Sequence, residues 1–153
     1  MHKFIFIPLF IIIPLMLSSC GKKINMDVKQ LDGKFHYENK DLGFQIGLPA
    51  EFEYFQTQRK KGVGLVDLEF FVPTADTTVA QEVKGYGKPF LIRVFEKDAW
   101  TKIGNNPENK DFIKFGESDR IYAIKFWNEI PSDWKQNWNE EYKKNLISLI
   151  KLY

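Results

Sequence analysis

The sequence predicts an α+β fold in which an antiparallel sheet packs against a C-terminal amphipathic helix. Short segments alternate apolar and polar residues, as at Phe44, Ile46 and Leu48, with the period of two expected of a strand that buries one face. Gly, Pro, Asn and Asp bound these segments and favour turns. The last segment instead repeats its large apolar residues at helical spacing. Strands followed by one strong helix are typical of an α+β domain.

The first half of the predicted domain contains a hairpin and two further strands. Residues 35–38 and 44–49 are interpreted as strands, and the turn-rich link between them can close a hairpin. Residues 52–57 are a third candidate strand, although their glutamates also permit a helical turn. Residues 63–72 form a better strand, because their apolar residues alternate with polar ones.

The second half begins with residues 73–89, which the sequence predicts to be a long surface loop. Such loops are often functional. Residues 90–96 are the most apolar strand candidate and are predicted to be central. A short helix capped by Asp98 is predicted at residues 98–103, followed by a turn at residues 104–111. A short strand is predicted at residues 112–115 and the last strand at residues 120–127.

The C-terminal segment gives the clearest helical signal. Residues 131–133 (Pro-Ser-Asp) supply a stop signal and an N-cap. Large apolar residues then recur at helical spacing: Trp134, Trp138, Tyr142, Leu146, Leu149, Ile150 and Tyr153. This stripe is predicted to pack on the sheet. The tryptophans, together with Trp127, could also form an aromatic platform for a sugar or a peptide, but the spacing favours core packing.

The N-terminal residues have the pattern of a targeting segment. A short basic start is followed by residues 4–17, an apolar run that Pro8 and Pro14 interrupt. This run is shorter than the roughly 20 residues of a transmembrane helix. Ser18 and Ser19 then precede Cys20, the only cysteine in the chain.

The segment Leu17-Ser18-Ser19-Cys20 resembles the lipobox of bacterial lipoproteins. The resemblance implies cleavage between Ser19 and Cys20 and attachment of diacylglycerol to the Cys20 thiol. Residues 1–19 are then the signal peptide, residues 20–34 the lipidated tether, and residues 35–153 a single domain. Two alternatives remain for this segment: an ordinary secretory signal with an incidental cysteine, and an uncleaved anchor. The expected location is extracytoplasmic, on the cell membrane or the outer membrane.

A second resemblance concerns the domain. Residues 37–49, with an aromatic residue, a turn, a Gly-Phe pair and a strand ending in proline, are similar to the opening hairpin of PsbP-like domains, and the arrangement of the last strand and terminal helix is also similar. This implies an α/β/α sandwich. Many such domains are extracytoplasmic bacterial lipoproteins, and some bind photosystem II. This chain has Phe52 where many relatives carry tryptophan, and one histidine after the leader, so no metal-ligand pair or photosystem partner is carried over.

The sequence offers few catalytic groups. His36 is the one histidine after the leader, no serine lies in a G-x-S-x-G setting, and no Cys-His cluster exists. Asp67 and Glu69 lie two apart on one strand face, as an acid/base pair or a solvated face would. Residues 104–111 are rich in oxygen donors, but they lack the order of a calcium loop and favour a plain turn. We expect no metal and no cofactor.

These observations leave three hypotheses for the function. The first is a non-enzymatic lipoprotein that presents a binding or accessory domain to an envelope protein, through a surface that includes residues 73–89. The second is a small-ligand or glycan binder, which requires a concave pocket lined by aromatic residues. The third is a hydrolase that uses carboxylates. The formal net charge of +2 does not favour nucleic acid as a partner.

Overall fold

The computed structural model describes residues 29–134 and 137–153. The predicted signal peptide, the Cys20 lipidation site and most of the tether lie outside these residues. At the start of the described chain, Gln30 N donates to Lys34 O over 2.8 Å, so residues 30–34 form a tight turn before the first strand. Within the described ranges, no helix is long and apolar enough to cross a membrane.

The described residues form eight strands, two α-helices and two 3-10 helices. The strands are β1 Phe35–Asn39, β2 Phe44–Leu48, β3 Gln56–Gly62, β4 Leu65–Pro73, β5 Tyr86–Glu96, β6 Ile113–Glu117, β7 Arg120–Phe126 and β8 Ile150–Leu152. The α-helices are α1 Lys97–Ile103 and α2 Glu140–Ser148, and the 3-10 helices are Ala50–Phe52 and Pro107–Asn109.

The strands build two antiparallel sheets. The large sheet has the order β3-β4-β5-β7-β6 and the small sheet the order β1-β2-β8. The predicted α+β class is confirmed, as are the opening hairpin and the central position of β5. The division into two sheets was not anticipated, because β8 has only three residues and no pattern of its own.

The core lies between the sheets and is rich in phenylalanine. Phe44, Phe52, Phe70 and Phe90 are completely buried, and the rings of Phe70 and Phe90 stack with their centroids 4.5 Å apart. The hydroxyl of Tyr122 donates to Leu42 O over 3.0 Å and so links the large sheet to the β1–β2 turn. Leu146 of α2 is buried in the same cluster, so this helix packs against the core as predicted.

Several predicted elements have different bounds. Ala50–Phe52 is a 3-10 helix, so the third strand starts at Gln56 and not at Phe52. Helix α1 starts at Lys97 after Glu96, and Asp98 lies in its first turn and does not cap it. The predicted loop at residues 73–89 is shorter, because β5 begins at Tyr86.

The C-terminal helix is also shorter than predicted. It begins after Asn139, whose side chain accepts a hydrogen bond from Tyr142 N over 2.9 Å. Asp133 is therefore not the N-cap: its carboxylate accepts from Thr74 and Ala75 of the loop after β4. Trp134 and Trp138 precede the helix but still pack against the core, and Ile150 belongs to β8. Consequently β7 is not the last strand.

The domain has two ends. At the proximal end, Lys34 leads into β1 beside the end of β2, because Phe35 pairs with Leu48. Residues 49–55 run from there to β3, whose first residue Gln56 pairs with Phe71 near the end of β4. The segments after β4 and β7 meet at the same end, where Trp134 Nε1 donates to Pro73 O. At the distal end, the β1–β2 turn meets the start of β7, where Arg120 Nη1 donates to Asp41 O over 2.7 Å. The β3–β4 turn lies at this end too.

Candidate functional site

A concave pocket of about 270 Å³ opens at the proximal end. We call it the Tyr54 pocket. Its lining combines two aromatic rings (Tyr54 and Trp134), three carboxylates (Glu51, Glu53 and Asp133) and three small apolar residues (Ala50, Val72 and Pro73). The lining comes from the 3-10 helix after β2, the end of β4 and the segment after β7. Three separate parts of the chain therefore converge on one cavity.

Tyr54 has an unusual backbone conformation for a tyrosine. Its φ is 61°, in the left-handed region that favours glycine, and it is the one non-glycine residue with positive φ among the described residues. Its side chain is 68% exposed, so burial does not compensate for this strain. Strained residues concentrate at functional sites, where the fold holds them for binding or catalysis. The conformation aims an exposed aromatic ring at the rim of a pocket.

Trp134 supplies a more rigid aromatic surface. Its indole Nε1 donates to Pro73 O over 3.0 Å, which satisfies the polar atom and fixes the ring. A side chain at Gly87 would place its Cβ 3.0 Å from Trp134 Cζ2, so the ring lies directly on the β5 backbone. The half-buried indole is thus a fixed wall, whereas the exposed ring of Tyr54 is free to adjust to a ligand.

The carboxylates give the pocket a negative charge. Glu51, Glu53 and Asp133 form no ion pair with a described residue, and among the described residues no Lys, Arg or His lines the cavity. The hydroxyl of Thr74, 2.6 Å from Asp133 Oδ1, and the amide of Ala75 lower the pKa of the Asp133 carboxyl. Asp133 therefore stays ionised well below neutral pH.

This combination is suited to an organic cation. An ammonium or guanidinium group over an aromatic face gains about 0.5–2 kcal/mol, and nearby carboxylates add charge-assisted hydrogen bonds. An aromatic wall beside carboxylate acceptors also fits one sugar ring. The described lining offers no donor cluster for an anion.

The carboxylates that the sequence singled out are placed elsewhere. Asp67 and Glu69 share the outer face of the large sheet, but each is neutralised by its own partners. Arg93 binds Asp67 through two bonds of 2.6 and 2.7 Å. Glu69, only 4% exposed, has Lys60 Nζ at 2.8 Å and Lys88 Nζ at 3.1 Å. Neither carboxylate faces the Tyr54 pocket.

The other predicted candidates do not come together either. His36 Nε2 lies 2.9 Å from Asp32 Oδ2 on the surface of β1. In the turn at residues 104–111, Asn109 is bound to Arg93, and no group of metal ligands occurs in the described part of the chain.

The proposed aromatic platform is not assembled. Trp138 donates to Trp127 O over 2.7 Å and lies against the Phe126 ring. Of the proposed aromatic platform, Trp134 alone lines the pocket.

Sequence reasoning missed Tyr54, Glu51 and Glu53. The segment at 50–54 alternates glutamates with aromatic residues, which resembles the pattern of a strand. A left-handed tyrosine has no sequence signature, because non-glycine residues rarely adopt that conformation.

Comparisons with known proteins give no relative. No protein-family model, no curated protein and no solved structure matches the chain.

Proposed function

We propose that the protein is a non-enzymatic, extracytoplasmic lipoprotein, anchored through Cys20, whose Tyr54 pocket binds a basic side chain of an envelope protein. The lipobox-like segment at residues 17–20 supports the anchor. The observation that carries the binding role is the pocket itself: a strained, exposed tyrosine and a fixed tryptophan beside three carboxylates that form no ion pair with a described residue. This chemistry selects lysine or arginine.

The position of the pocket supports a partner close to the membrane. The pocket lies at the proximal end, where the chain enters the domain from the tether. Cys20 lies about ten residues before the turn at residues 30–34, and a chain of that length reaches at most about 35 Å when fully extended, so the proposed anchor holds the pocket near the lipid surface. The carboxylates disfavour anionic lipid headgroups as ligands, because like charges repel. A basic segment of a membrane protein fits both constraints.

The aromatic lining also favours a second function, the binding of a small ligand or a single sugar. The volume of about 270 Å³ is slightly below the usual range of ligand pockets, which measure about 300–1,000 Å³. It suits one side chain, one sugar ring or one small organic cation.

Site-specific crosslinking in cells distinguishes these functions. A photoreactive benzoylphenylalanine replaces Tyr54 in one variant and Tyr153 in the control, because Tyr153 is similarly exposed but bonds to Gly43 at the distal end. We expect a reproducible envelope-protein adduct from position 54 alone, which weakens at least about tenfold when Glu51→Gln and Glu53→Gln are combined. The same preparations should contain diacylglycerol on Cys20, and Cys20→Ser should leave the membrane fraction.

Other outcomes contradict the proposal. Equal adducts from positions 54 and 153 would reject the pocket as the contact surface. Adducts with glycan or small molecules, without a protein, would favour the second function. An unmodified Cys20 in the mass spectrum of the membrane-bound protein would remove the lipid anchor.

A further inference from the structure

A second cavity of about 290 Å³ lies at the distal end, remote from the Tyr54 pocket. We call it the Arg59 cleft. It opens between the edge strand β3 and the β1–β2 turn. Three basic residues and an apolar floor characterise its lining, which includes Arg59, Lys61, Arg120, Leu42, Val66 and Val94. Its charge is opposite in sign to that of the Tyr54 pocket.

The cleft follows from the unequal size of the two sheets. Arg59 pairs with Leu68 and Lys61 with Val66, so both cations lie on the core-facing side of β3. Paired residues of an antiparallel ladder point to the same face. A three-stranded sheet covers a five-stranded one incompletely, and β3 at the edge remains exposed. Its inward-facing side chains therefore border open space beside the core.

Two of the three cations meet at Asp41. Arg59 Nη1 lies 3.5 Å from Asp41 Oδ2, and Arg120 Nη1 donates to the backbone oxygen of the same residue over 2.7 Å. The Asp41 side chain is 81% exposed, so its pairing with Arg59 is weak and easily exchanged. Within the described chain, Lys61 and Arg120 form no ion pair. An incoming anion would thus compete with the Asp41 carboxylate for Arg59, whereas Lys61 and Arg120 have no ion-pair partner to exchange among the described residues.

The floor of the cleft is apolar. Leu42 and Val94 are buried, and Leu65 and Val66 are partly exposed to the cavity. Glu96 is the second acidic residue of the lining, so the three cations outnumber the carboxylates of Asp41 and Glu96 by one. Charged residues on an edge strand also prevent pairing with other sheets, but that role requires neither a cavity nor an exposed apolar floor.

We propose that the Arg59 cleft binds a small organic anion, with a carboxylate or phosphate group on a compact apolar body. The guanidinium groups of Arg59 and Arg120 match the planar geometry of such oxyanions, and Lys61 adds a mobile charge. The apolar body covers Leu65, Val66 and Val94, which gains hydrophobic energy that a bare inorganic ion cannot gain.

Isothermal titration of the full chain in a non-ionic detergent tests this site. The probes are benzoate, phenyl phosphate, inorganic phosphate and benzylamine. We expect benzoate or phenyl phosphate to bind with a Kd below 1 mM, about tenfold more tightly than inorganic phosphate, and benzylamine not to bind at the cleft. The better of benzoate and phenyl phosphate identifies the anionic group.

Variants locate the binding. Arg59→Gln and Lys61→Gln should each weaken the binding at least about fivefold, and Lys61→Gln breaks no ion pair among the described residues. Lys40→Gln, in the adjacent turn but outside the cleft, should leave the Kd unchanged. The proposal is overturned if neither organic anion binds, if inorganic phosphate binds equally well, or if Lys40→Gln has the same effect as Lys61→Gln. Glu51→Gln should not affect this binding, so the two proposals fail independently.

Discussion

At the scale of single residues, Arg93 organises the outer face of the large sheet. It binds Asp67 with two hydrogen bonds, contacts Asn109 Oδ1 at 2.5 Å and lies 4.4 Å from the centre of the Phe112 ring. Asn109 in turn donates to Ile103 O over 2.7 Å. The network joins β4, β5 and the connection after α1. Its charges are largely buried, so the loss of one partner leaves the other uncompensated.

Asp67→Asn tests this network. The substitution keeps the size of the side chain but removes the charge that neutralises Arg93. We expect the free energy of unfolding to fall by about 3 kcal/mol, as for a buried ion pair that loses one partner. Urea denaturation measures the loss. Asp111→Asn is the matched control: its ion pair with Lys125 is exposed and should contribute less than about 1 kcal/mol. A loss for Asp67→Asn as small as the loss for Asp111→Asn would show that the Arg93 network does not stabilise the fold.

Tyr54 is expected to favour partner binding while its strained backbone lowers the free energy of unfolding. Its left-handed backbone is strained, and glycine adopts that conformation without strain. We therefore expect Tyr54→Gly to leave the free energy of unfolding unchanged or to raise it by up to about 1 kcal/mol, while the crosslinked partner is lost. Tyr54→Ala keeps the strain and should not gain stability. A loss of more than about 1 kcal/mol in Tyr54→Gly would indicate that the ring stabilises the fold.

At the scale of elements, local patterns determined which predictions succeeded. The β1–β2 hairpin was predicted because Phe44, Ile46 and Leu48 alternate and a turn precedes them, and all three are buried. The start of α2 was missed because Trp134, Trp138 and Tyr142 have helical spacing although only Tyr142 lies in the helix. Their burial comes from tertiary packing, which spacing alone cannot distinguish from helical periodicity.

The true N-cap of α2 gives a test at this scale. Asn139→Ala removes the acceptor for Tyr142 N, and we expect a loss of about 1 kcal/mol in the free energy of unfolding. Asn145→Ala, on the same helix, keeps its backbone bond to Ser148 and should be close to neutral. Chemical denaturation of both variants provides the comparison. A larger effect of Asn145→Ala would contradict the observed cap.

The Tyr54 pocket could be predicted from the sequence only in part. Trp134 was an aromatic candidate, and one of the three hypotheses included residues 73–89 in a partner-binding surface. The pocket depends on Asp133 reaching Thr74 and Ala75, contacts between segments about 60 residues apart (58 and 59 in the two bonds). Single-sequence patterns report neighbours along the chain and not such contacts.

At the scale of the whole molecule, two carboxylates fasten the loop after β4 to the segment that follows β7. Asp76 accepts hydrogen bonds from the amide and hydroxyl of Ser132, each 2.8 Å long, and it also accepts from Thr78. The bond from the Ser132 amide is the main cause that lowers the pKa of Asp76. Conversely, Asp133 of the segment after β7 accepts hydrogen bonds from Thr74 and Ala75 of the loop after β4. These bonds at the proximal end favour the ionised form of both carboxylates.

The stability of the fold should therefore decrease as these two carboxylates become protonated at acidic pH. Because the folded pKa values of Asp76 and Asp133 are lowered, the folded state binds fewer protons than the unfolded state. Their contribution is fully present above the unfolded pKa of about 3.9 and is lost as the pH falls below it. We expect the Tm to fall between pH 4 and pH 2, and Asp76→Asn to lower the Tm at pH 6 but less at pH 2. Parallel curves for both proteins would contradict this assignment.

The small sheet has a consequence for the order in which the chain folds during its synthesis. Strands β1 and β2 emerge early, but β2 completes its ladder only with β8, and Tyr153 bonds to Glu38 across 115 residues. Until β8 emerges, the hairpin carries an unpaired edge and the apolar side chains of Phe44 and Ile46. Such a segment associates readily with other chains. We therefore expect a nascent chain to aggregate more readily before its last strand is available than after it has paired.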